Sequence, residues 1–202
     1  MKTLYITTPI YYANEKAHLG HAYTTIAADV MARWYRIFLG KENVLFTTGM
    51  DEHGTKVQQS AEKNKQTPQE FVDIIAKKFK NTWNLLNISY DDFIRTTEKR
   101  HEVVVKRILK KIKDSGDIYK GMYEGWYCVP CESFFTDIQL VEGKCPDCRR
   151  KVEVLKEESY FFRLSKYEDK LLKFYEENPD FLSPNHRKKE ILNRVKGGLK
   201  DL

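Results

Sequence analysis

Four cysteines supply the clearest metal-binding chemistry in the sequence. They form two C-x-x-C pairs, CVPC at 128–131 and CPDC at 145–148, with thirteen residues between them. Each pair can form a tight knuckle turn, and two such turns bring four thiolates to one Zn²⁺ at about 2.3 Å. Two disulfides or a redox site are the alternatives, but disulfides are rare in cytosolic proteins and a redox motif needs only one pair. The sequence therefore predicts a structural zinc ion, with no ligand position left for substrate, held by Cys128, Cys131, Cys145 and Cys148.

A second candidate site is the tetrapeptide HLGH at 18–21, which opens an amphipathic helical pattern after a β-strand pattern. The N-terminus of such a helix presents free N–H groups and a partial positive charge, and both favour phosphate. His18 and His21 could donate hydrogen bonds to a polyphosphate and stabilise charge that develops during displacement at phosphorus. Gly20 would let a flat base approach the backbone closely. The alternative is a capped helix with two incidental surface histidines.

Three further residues could line a pocket beside the histidines. Asp51, in GMDEHGT, follows a second predicted strand, and its carboxylate could hold a cation such as the ammonium group of an amino acid. The alternative for Asp51 is an N-cap for the helix expected near Gly54. Tyr11 and Tyr12 could form the wall of a small apolar pocket, with burial in the core as the alternative.

A parallel sheet would bring these loops together. The β-branched and aromatic run 3–8 predicts a strand that stops at Pro9, 19–38 a helix closed by Gly40, and 43–48 a second strand. Strand–helix–strand units are right-handed and place parallel strands side by side, with ligands beyond the C-terminal ends of the strands. The loops that carry the histidines and Asp51 are therefore predicted to meet at one edge of the sheet.

Five more regular elements are predicted along the rest of the chain. TPQE at 67–70 is a capping box that opens a helix with one apolar face, formed by Phe71, Ile74, Ile75, Phe79 and Trp83. YDDFIRTT is a short strand, and 98–116 is a helix whose inward residues are Val104, Ile108 and Ile112. After a region rich in glycine, aromatic residues and cysteine, helices are predicted at 165–178 and 184–199.

Composition and charge narrow the class of protein. The chain has 202 residues, of which 41% are hydrophobic and 32% are charged, as in soluble globular proteins. Its apolar runs are too short for a transmembrane helix, and the first residues lack the apolar core of a signal peptide, so a cytoplasmic protein is expected. The net charge is +6, and the stretch 186–200 holds six Lys/Arg and one Glu. This stretch predicts a solvated helix face unless other observations support a nucleic-acid partner.

The motifs together resemble a known family. PIYYANEKAHLGH is similar to the signature region of class I aminoacyl-tRNA synthetases, with residues 18–21 as the HIGH-type tetrapeptide. With TTPIYYAN, TTGMDEHGTK, the two cysteine pairs and SYFFRLSKYEDKLL, the whole chain resembles the methionyl-tRNA synthetase family. The resemblance implies that methionine and ATP, with Mg²⁺, give methionyl-adenylate and pyrophosphate, and that the aminoacyl group then passes to initiator and elongator methionine tRNAs.

The resemblance also implies roles for individual residues. The expected ATP-binding residues are Asn14, His18, Gly20 and His21, with the two histidines as the catalytic residues. The expected methionine-binding residues are Ile10, through its carbonyl, Tyr12 and Asp51.

The implied fold is α/β and has two parts. Residues 1–117 would form a Rossmann-like, mostly parallel sheet, the first half of a catalytic domain, and 118–202 a connective-peptide insertion with the zinc knuckle and a helical return. The family continues into a second catalytic half with a lysine-bearing KMSKS loop and into an anticodon-binding domain. Neither is found in these 202 residues, so the chain alone is expected to form little or no adenylate.

Two other functions stay open from the sequence. A small nucleotidyltransferase of the same histidine-motif superfamily would explain the histidines and the short chain, but not the four cysteines. A zinc-bearing RNA-binding module would use the knuckle and the basic stretch 186–200.

Overall fold

The structure is a computed structural model that describes residues 2–131 and 133–202. The chain divides into two compact units between Arg107 and Ile108. This division lies inside a helix, whereas the change in composition along the sequence predicts a boundary after the end of that helix, at residue 117.

The first unit is built on a parallel sheet. Its elements in chain order are β1 (Leu4–Tyr12), α1 (Leu19–Leu39), β2 (Val44–Asp51), α2 (Thr55–Lys63), α3 (Pro68–Leu85), β3 (Asp92–Arg95) and the start of α4 (Lys99–Asp114). The strands lie in the order β1-β2-β3, and both neighbouring pairs are parallel. The predicted strand–helix–strand arrangement is therefore confirmed.

Both strands that carry candidate residues are longer than predicted. β1 continues through Pro9 to Tyr12, so the predicted stop at Pro9 is wrong. The pairing with β2 shifts register between Thr7 and Ile10, and Pro9 lies in this irregularity, where the missing N–H breaks no regular ladder bond. β2 likewise continues to Asp51. Ile10, Tyr12 and Asp51 are consequently strand residues rather than loop residues.

Helix α3 supplies much of the core and begins as predicted. Thr67 is its N-cap, Pro68 its first residue, and Thr67 and Glu70 form a reciprocal capping box. Four of the five predicted apolar residues are buried, whereas Ile74 is 39% exposed. The buried members of this face are Phe71, Ile75, Phe79 and Trp83.

Helix α1 turns an unexpected face to the sheet. Its end at Gly40, with φ of 84°, matches the predicted C-cap. Its buried residues are small or polar: Thr25, Ala28, Asp29 and Ala32. The apolar residues whose spacing predicted the helix are exposed instead: Ile26, Val30, Trp34, Ile37 and Phe38. Periodicity identifies an apolar face but not the element that covers it.

Helix α4 shows a similar difference. Val104 and Ile108 are 43% and 50% exposed, and Ile112 is half-buried, so the predicted inward face is wrong for the first two. Within the described chain, α4 has no buried residue, because no element covers its apolar side deeply.

The second unit contains an antiparallel sheet and two helices. Its further elements are β4 (Ile118–Cys128), β5 (Ser133–Phe135), β6 (Glu153–Phe162), α5 (Glu168–Glu177) and α6 (Asn185–Lys196). The strands lie in the order β5-β4-β6. The two predicted C-terminal helices are confirmed. Short 3₁₀ turns cover Lys41–Asn43, Val129–Cys131, Asp137–Gln139 and Leu164–Tyr167.

Asp117 anchors the start of β4 in the second unit. It is 4% exposed, and its carboxylate accepts hydrogen bonds from Lys166 and Tyr167, both at 2.5 Å, and from Ser115 at 3.0 Å. The bonds from Lys166 and Tyr167 lower the pKa of Asp117 to about 2. Its backbone oxygen also accepts a bond from the Arg163 amide at 2.8 Å, which ties the start of β4 to the end of β6.

Among the described residues, no helix has the length and hydropathy required to span a bilayer.

Candidate functional site

The two histidines begin helix α1 and cap it. His18 is the N-cap, and its Nδ1 accepts a hydrogen bond from the Gly20 amide at 3.0 Å. His21 Nδ1 accepts one from the His18 amide at 3.3 Å. This is a capping box in which histidines replace the usual Ser/Thr and Glu. The alternative prediction, that the two histidines cap the helix, is therefore also correct.

The capping bonds decide where the imidazole protons lie. A neutral imidazole has one donor and one acceptor nitrogen, so two accepting Nδ1 atoms leave the protons on Nε2 of His18 and of His21. Within the described residues, neither Nε2 has a hydrogen-bond partner. The motif thus presents two N–H donors for a ligand at a helix N-terminus, where anions are favoured.

Packing holds the two rings in place. The rings of His18 and His21 stack with centroids 3.7 Å apart and an angle of 22°. His21 also lies on Tyr11 and Phe79, with centroids 4.7 and 5.4 Å away. Burial, and then the charge of His18, lower the pKa of His21 below its usual value. Near neutral pH, His21 is therefore a neutral hydrogen-bond donor rather than a cation.

Tyr11 is a core residue beneath the histidines, so the alternative prediction of burial in the core is confirmed. It is 6% exposed, and its hydroxyl shares a 2.7 Å hydrogen bond with the Thr25 hydroxyl. Its ring lies 5.9 Å from that of Trp83. Tyr11 therefore supports His21 from below and is not the wall of an open pocket.

Asp51 lies beside Tyr12 at the carboxyl ends of the two strands. The two residues are register partners, and the Ala13 amide donates to the Asp51 backbone oxygen at 2.9 Å. Tyr11, the residue before Tyr12, contacts His21. The histidine motif and the segment that carries Asp51 therefore lie at the same end of the sheet. The N-cap of α2 is Gly54, so the alternative role of Asp51 as that cap is wrong.

The surroundings of Asp51 leave its carboxylate available. Asp51 is half-exposed, and no described residue forms a hydrogen bond or an ion pair with its carboxylate. Tyr12 is also half-buried, and its hydroxyl lies 2.6 Å from the point where a Cβ on Gly54 would be. Gly54 has φ of 115° and thus gives Tyr12 the space that any side chain would fill. Ile10 is 42% exposed, and Asn14 is half-exposed in the turn after β1.

The four cysteines form one cluster in the second unit. All four thiols are free, and their Sγ atoms lie within 4.8 Å of one another. Cys128 and Cys148 are 3.5 Å apart, and Cys131 and Cys145 are 3.8 Å apart, far longer than a disulfide bond of about 2.05 Å. A tetrahedral metal with bonds of about 2.3 Å requires sulfur separations of about 3.8 Å. The cluster therefore fits a metal ion with four thiolate ligands.

Turn geometry and electrostatics also suit such a site. In the second pair, the Cys145 amide donates to the Arg150 oxygen and the Arg149 amide to the Cys145 oxygen, each at 2.9 Å. The Arg150 backbone amide lowers the pKa of Cys148 to about 7. The hydrogen bond between Cys131 and Cys148, followed by burial, raises the pKa of Cys131. A bound cation would favour the deprotonated form of both thiols.

The basic stretch 186–200 forms most of α6. Arg187 pairs with Glu190 at 2.6 Å, and Lys188 donates to the Pro179 oxygen at 2.8 Å. Lys189 and Arg194 are exposed. This arrangement is that of a solvated helix face and gives no separate support for an RNA-binding surface.

Comparison with known proteins decides the family. The sequence model described as tRNA synthetases class I (M) matches residues 4–153 and 148–202. The chain belongs to this family. The methionine–tRNA ligase of Caldanaerobacter subterraneus subsp. tengcongensis is 58% identical over 100% of the chain, which covers 31% of that relative. That of Thermotoga maritima is 54% identical over 98% of the chain, which covers 32% of it. The chain thus spans about a third of the length of these curated relatives.

Solved structures agree with this family and with the α/β fold. Mycobacterium tuberculosis methionyl-tRNA synthetase in complex with methionyl-adenylate has a TM-score of 0.86 and 42% identity, with 100% of this chain and 40% of that chain covered. The free form of the same synthetase has a TM-score of 0.70 and 40% identity, with 39% of that chain covered. The predicted resemblance is therefore confirmed.

Proposed function

We propose that the chain is part of a methionine–tRNA ligase, and that it contributes ATP- and methionine-binding residues to the active site. The enzyme would activate methionine with ATP and Mg²⁺ to methionyl-adenylate and transfer the methionyl group to initiator and elongator methionine tRNAs. The observation that carries this proposal is the pair of Nε2–H donors on His18 and His21, at the same sheet end as the Asp51 carboxylate, which no described residue bonds.

The geometry supports separate roles for the histidines at the start of α1 and for the residues at the strand ends. A methionine carboxylate oxygen would attack the α-phosphorus of ATP, the bond between the α- and β-phosphates would break, and pyrophosphate would leave. His18 and His21 would donate hydrogen bonds from Nε2 to the phosphate oxygens as charge moves to the leaving group. Gly20 and Asn14 would complete the ATP side.

On the methionine side, three residues of the strand ends would bind the amino acid. The Asp51 carboxylate and the Ile10 carbonyl oxygen would hold the ammonium group, since both are acceptors and Asp51 is charged. The Tyr12 ring would line the side-chain pocket. The sheet places Tyr12 and Asp51 as register neighbours, so one ligand can reach both.

Gly20 supports the histidines as well as the nucleotide. A Cβ at this position would lie 3.0 Å from Cε1 and 3.2 Å from Nδ1 of His18. Any side chain would therefore require the His18 ring to shift by a few tenths of an ångström. This gives a physical reason for glycine between the histidines.

We also propose that Zn²⁺ occupies the four-cysteine cluster and is structural. Cys128, Cys131, Cys145 and Cys148 fill a tetrahedral site and leave no position for substrate. Bound zinc would supply folding free energy to the knuckle. On the domain level, we propose a Rossmann-like half-domain over 1–117 and a connective-peptide insertion over 118–202.

The test uses a chimera in which this chain replaces the segment it matches in the Caldanaerobacter ligase. Methionine-dependent ATP–pyrophosphate exchange is expected from the chimera, and little or none from the 202-residue chain alone. His21→Ala should lower exchange by about 100-fold, the cost of removing one preorganised donor to developing charge. His186→Ala, which changes an exposed histidine on α6, is the matched control and should have no effect.

Three outcomes would contradict the proposal. They are exchange that does not depend on methionine, exchange that is unchanged by His21→Ala, and robust exchange by the chain alone. RNA binding by the chain together with an inactive chimera would favour the RNA-binding module, and nucleotidyl transfer to a different acceptor would favour the small nucleotidyltransferase.

A further inference from the structure

A buried charged residue follows Asp51 directly. The side chain of Glu52 is 0% exposed, and both of its carboxylate oxygens are hydrogen-bonded. Oε1 accepts from Arg95 Nε at 2.7 Å, and Oε2 accepts from the Thr97 hydroxyl at 2.6 Å. The Glu52 amide donates to the Thr96 hydroxyl at 2.9 Å. Glu52 is thus fixed through its backbone and through both oxygens.

Arg95 extends this network to a helix. It is the last residue of β3, and its Nη2 donates a hydrogen bond to the Asp73 carboxylate of α3 at 2.5 Å. Desolvation would raise the pKa of Asp73, but the hydrogen bonds from Arg95 and Gln69, with the charge of Arg95, together lower it. The Thr96 amide donates to the Met50 oxygen at 3.2 Å. The network therefore joins the carboxyl ends of β2 and β3 to α3.

Stability alone does not explain this pair. Taking a carboxylate and a guanidinium out of water costs free energy that their attraction barely returns, and apolar residues of the same size are often as stable. What the pair does provide is a fixed orientation for the neighbouring Asp51 side chain. Successive side chains of an extended chain point to opposite sides, so fixing Glu52 inward turns Asp51 outward. The guanidinium of Arg95 also offsets the negative charge of Glu52 next to Asp51.

We propose that Glu52 and Arg95 are positioning residues that hold the Asp51 carboxylate in place for the ammonium group of the amino acid. The role in amino-acid binding rests on the proposed function. The holding of Asp51 itself rests only on the bonds of this network, and the two parts can be tested separately.

The first test measures local order in the 202-residue chain by amide hydrogen exchange. Arg95→Met removes both bonds of the guanidinium and should speed exchange of the Glu52 and Ala13 amides by about 10- to 100-fold, the range for a lost hydrogen bond to a charged group. Arg100→Met is the matched control, because Arg100 is half exposed and pairs with Asp92 on the protein surface. It should leave these two amides unchanged.

Further variants keep the test decisive. If Arg95→Met does not fold, the double variant Glu52→Gln with Arg95→Met removes the unpaired buried charge and should fold with the same local loosening. Arg95→Lys keeps the charge and should restore part of the protection. Equal exchange rates in wild type, Arg95→Met and the double variant would overturn the proposed network.

The second test uses the ligase chimera and separates substrates. Arg95→Met should raise KM for methionine by about tenfold or more, since one charged hydrogen bond contributes that much, while KM for ATP changes less than about twofold. A purely structural role would instead lower kcat or the active fraction and affect both substrates alike, and that result would overturn the positioning role. If the unsubstituted chimera shows no methionine-dependent exchange, the proposed function fails, whereas the hydrogen-exchange comparison still decides whether the network holds Asp51.

Discussion

Removal of metal from the four-cysteine cluster should unfold the knuckle while the first unit stays folded. The sulfur separations of 3.5 and 3.8 Å differ by only a few tenths of an ångström from the edge of a zinc–thiolate tetrahedron, about 3.8 Å, so little rearrangement opposes binding. A preformed site of this type should therefore gain the full free energy of structural zinc, about 10–16 kcal/mol. Whole domains are stable by about 5–15 kcal/mol. Bound zinc would thus contribute about as much free energy as the net stability of a whole domain.

The packing around the cysteines supports the same conclusion. The buried residues of this cluster are Cys128, Phe135 and Cys145, with partly buried neighbours such as Trp126 and Leu140. Burying one phenylalanine contributes about 1.5–3 kcal/mol, far less than the metal. Apolar packing therefore cannot replace the ion.

The assay follows backbone amide signals by NMR during titration with a zinc chelator, with bound zinc measured in parallel. Signals from 118–163 should collapse to the narrow range of an unfolded chain as zinc is lost, while those of β1 and α1 persist. Cys128→Ser should show the same collapse of signals at much lower chelator concentrations. The control Val129→Ala, at an exposed neighbouring position, should need the same chelator concentration as the wild type. Well-dispersed signals from 118–163 after complete loss of zinc would refute the reasoning.

Three other changes test the framework around the sites. Gly49→Ala places a Cβ 2.2 Å from the backbone oxygen of Ile94, so the two strands must separate and the free energy of unfolding should fall by about 1–3 kcal/mol or more in urea titrations; an unchanged midpoint would contradict this. The pKa of His21 is lowered in the fold, so its contribution is complete above about pH 6.5 and declines below it; His21→Asn should lose less Tm than wild type between pH 7 and 5. The pKa of Asp117 is lowered to about 2 chiefly by Lys166, so its contribution is complete above pH 3.8 and is lost towards pH 2; Asp117→Asn should be less stable at pH 7, with a difference that disappears near pH 2. A constant difference across this range would assign the effect to packing instead.

Features set by local chemistry were predictable from the sequence. The capping box at Thr67 and the C-cap at Gly40 depend on residues within one turn, and both form as expected. The cysteine cluster also follows from local spacing, because each C-x-x-C pair folds on itself and only the meeting of the two pairs needs the sheet. The parallel pairing of β1 and β2 follows from the general handedness of such units.

Features that depend on distant partners were not predictable. The sequence marks Glu52 and Arg95 only as charged residues 43 positions apart, and nothing in either neighbourhood shows that they form a buried pair. The sequence predicts a capping role for His18 and His21 only as an alternative to ligand binding, and the structure shows that they do cap the helix. The structure shows that capping does not exclude binding, because it engages Nδ1 and leaves Nε2 of each ring available.

The outward stripe of α1 shows why periodicity misleads at the level of packing. The apolar residues that α1 buries in the core are Ala28 and Ala32, and such small side chains allow a helix to pack closely. Large residues such as Trp34, 58% exposed, would hold the helix away from β1 and β2. The most hydrophobic face of a helix is therefore not always the face that packs nearest. In this chain the core-facing side of α1 carries Ala28 and Ala32, both part of the buried cluster, while the larger apolar residues of the same helix stay exposed.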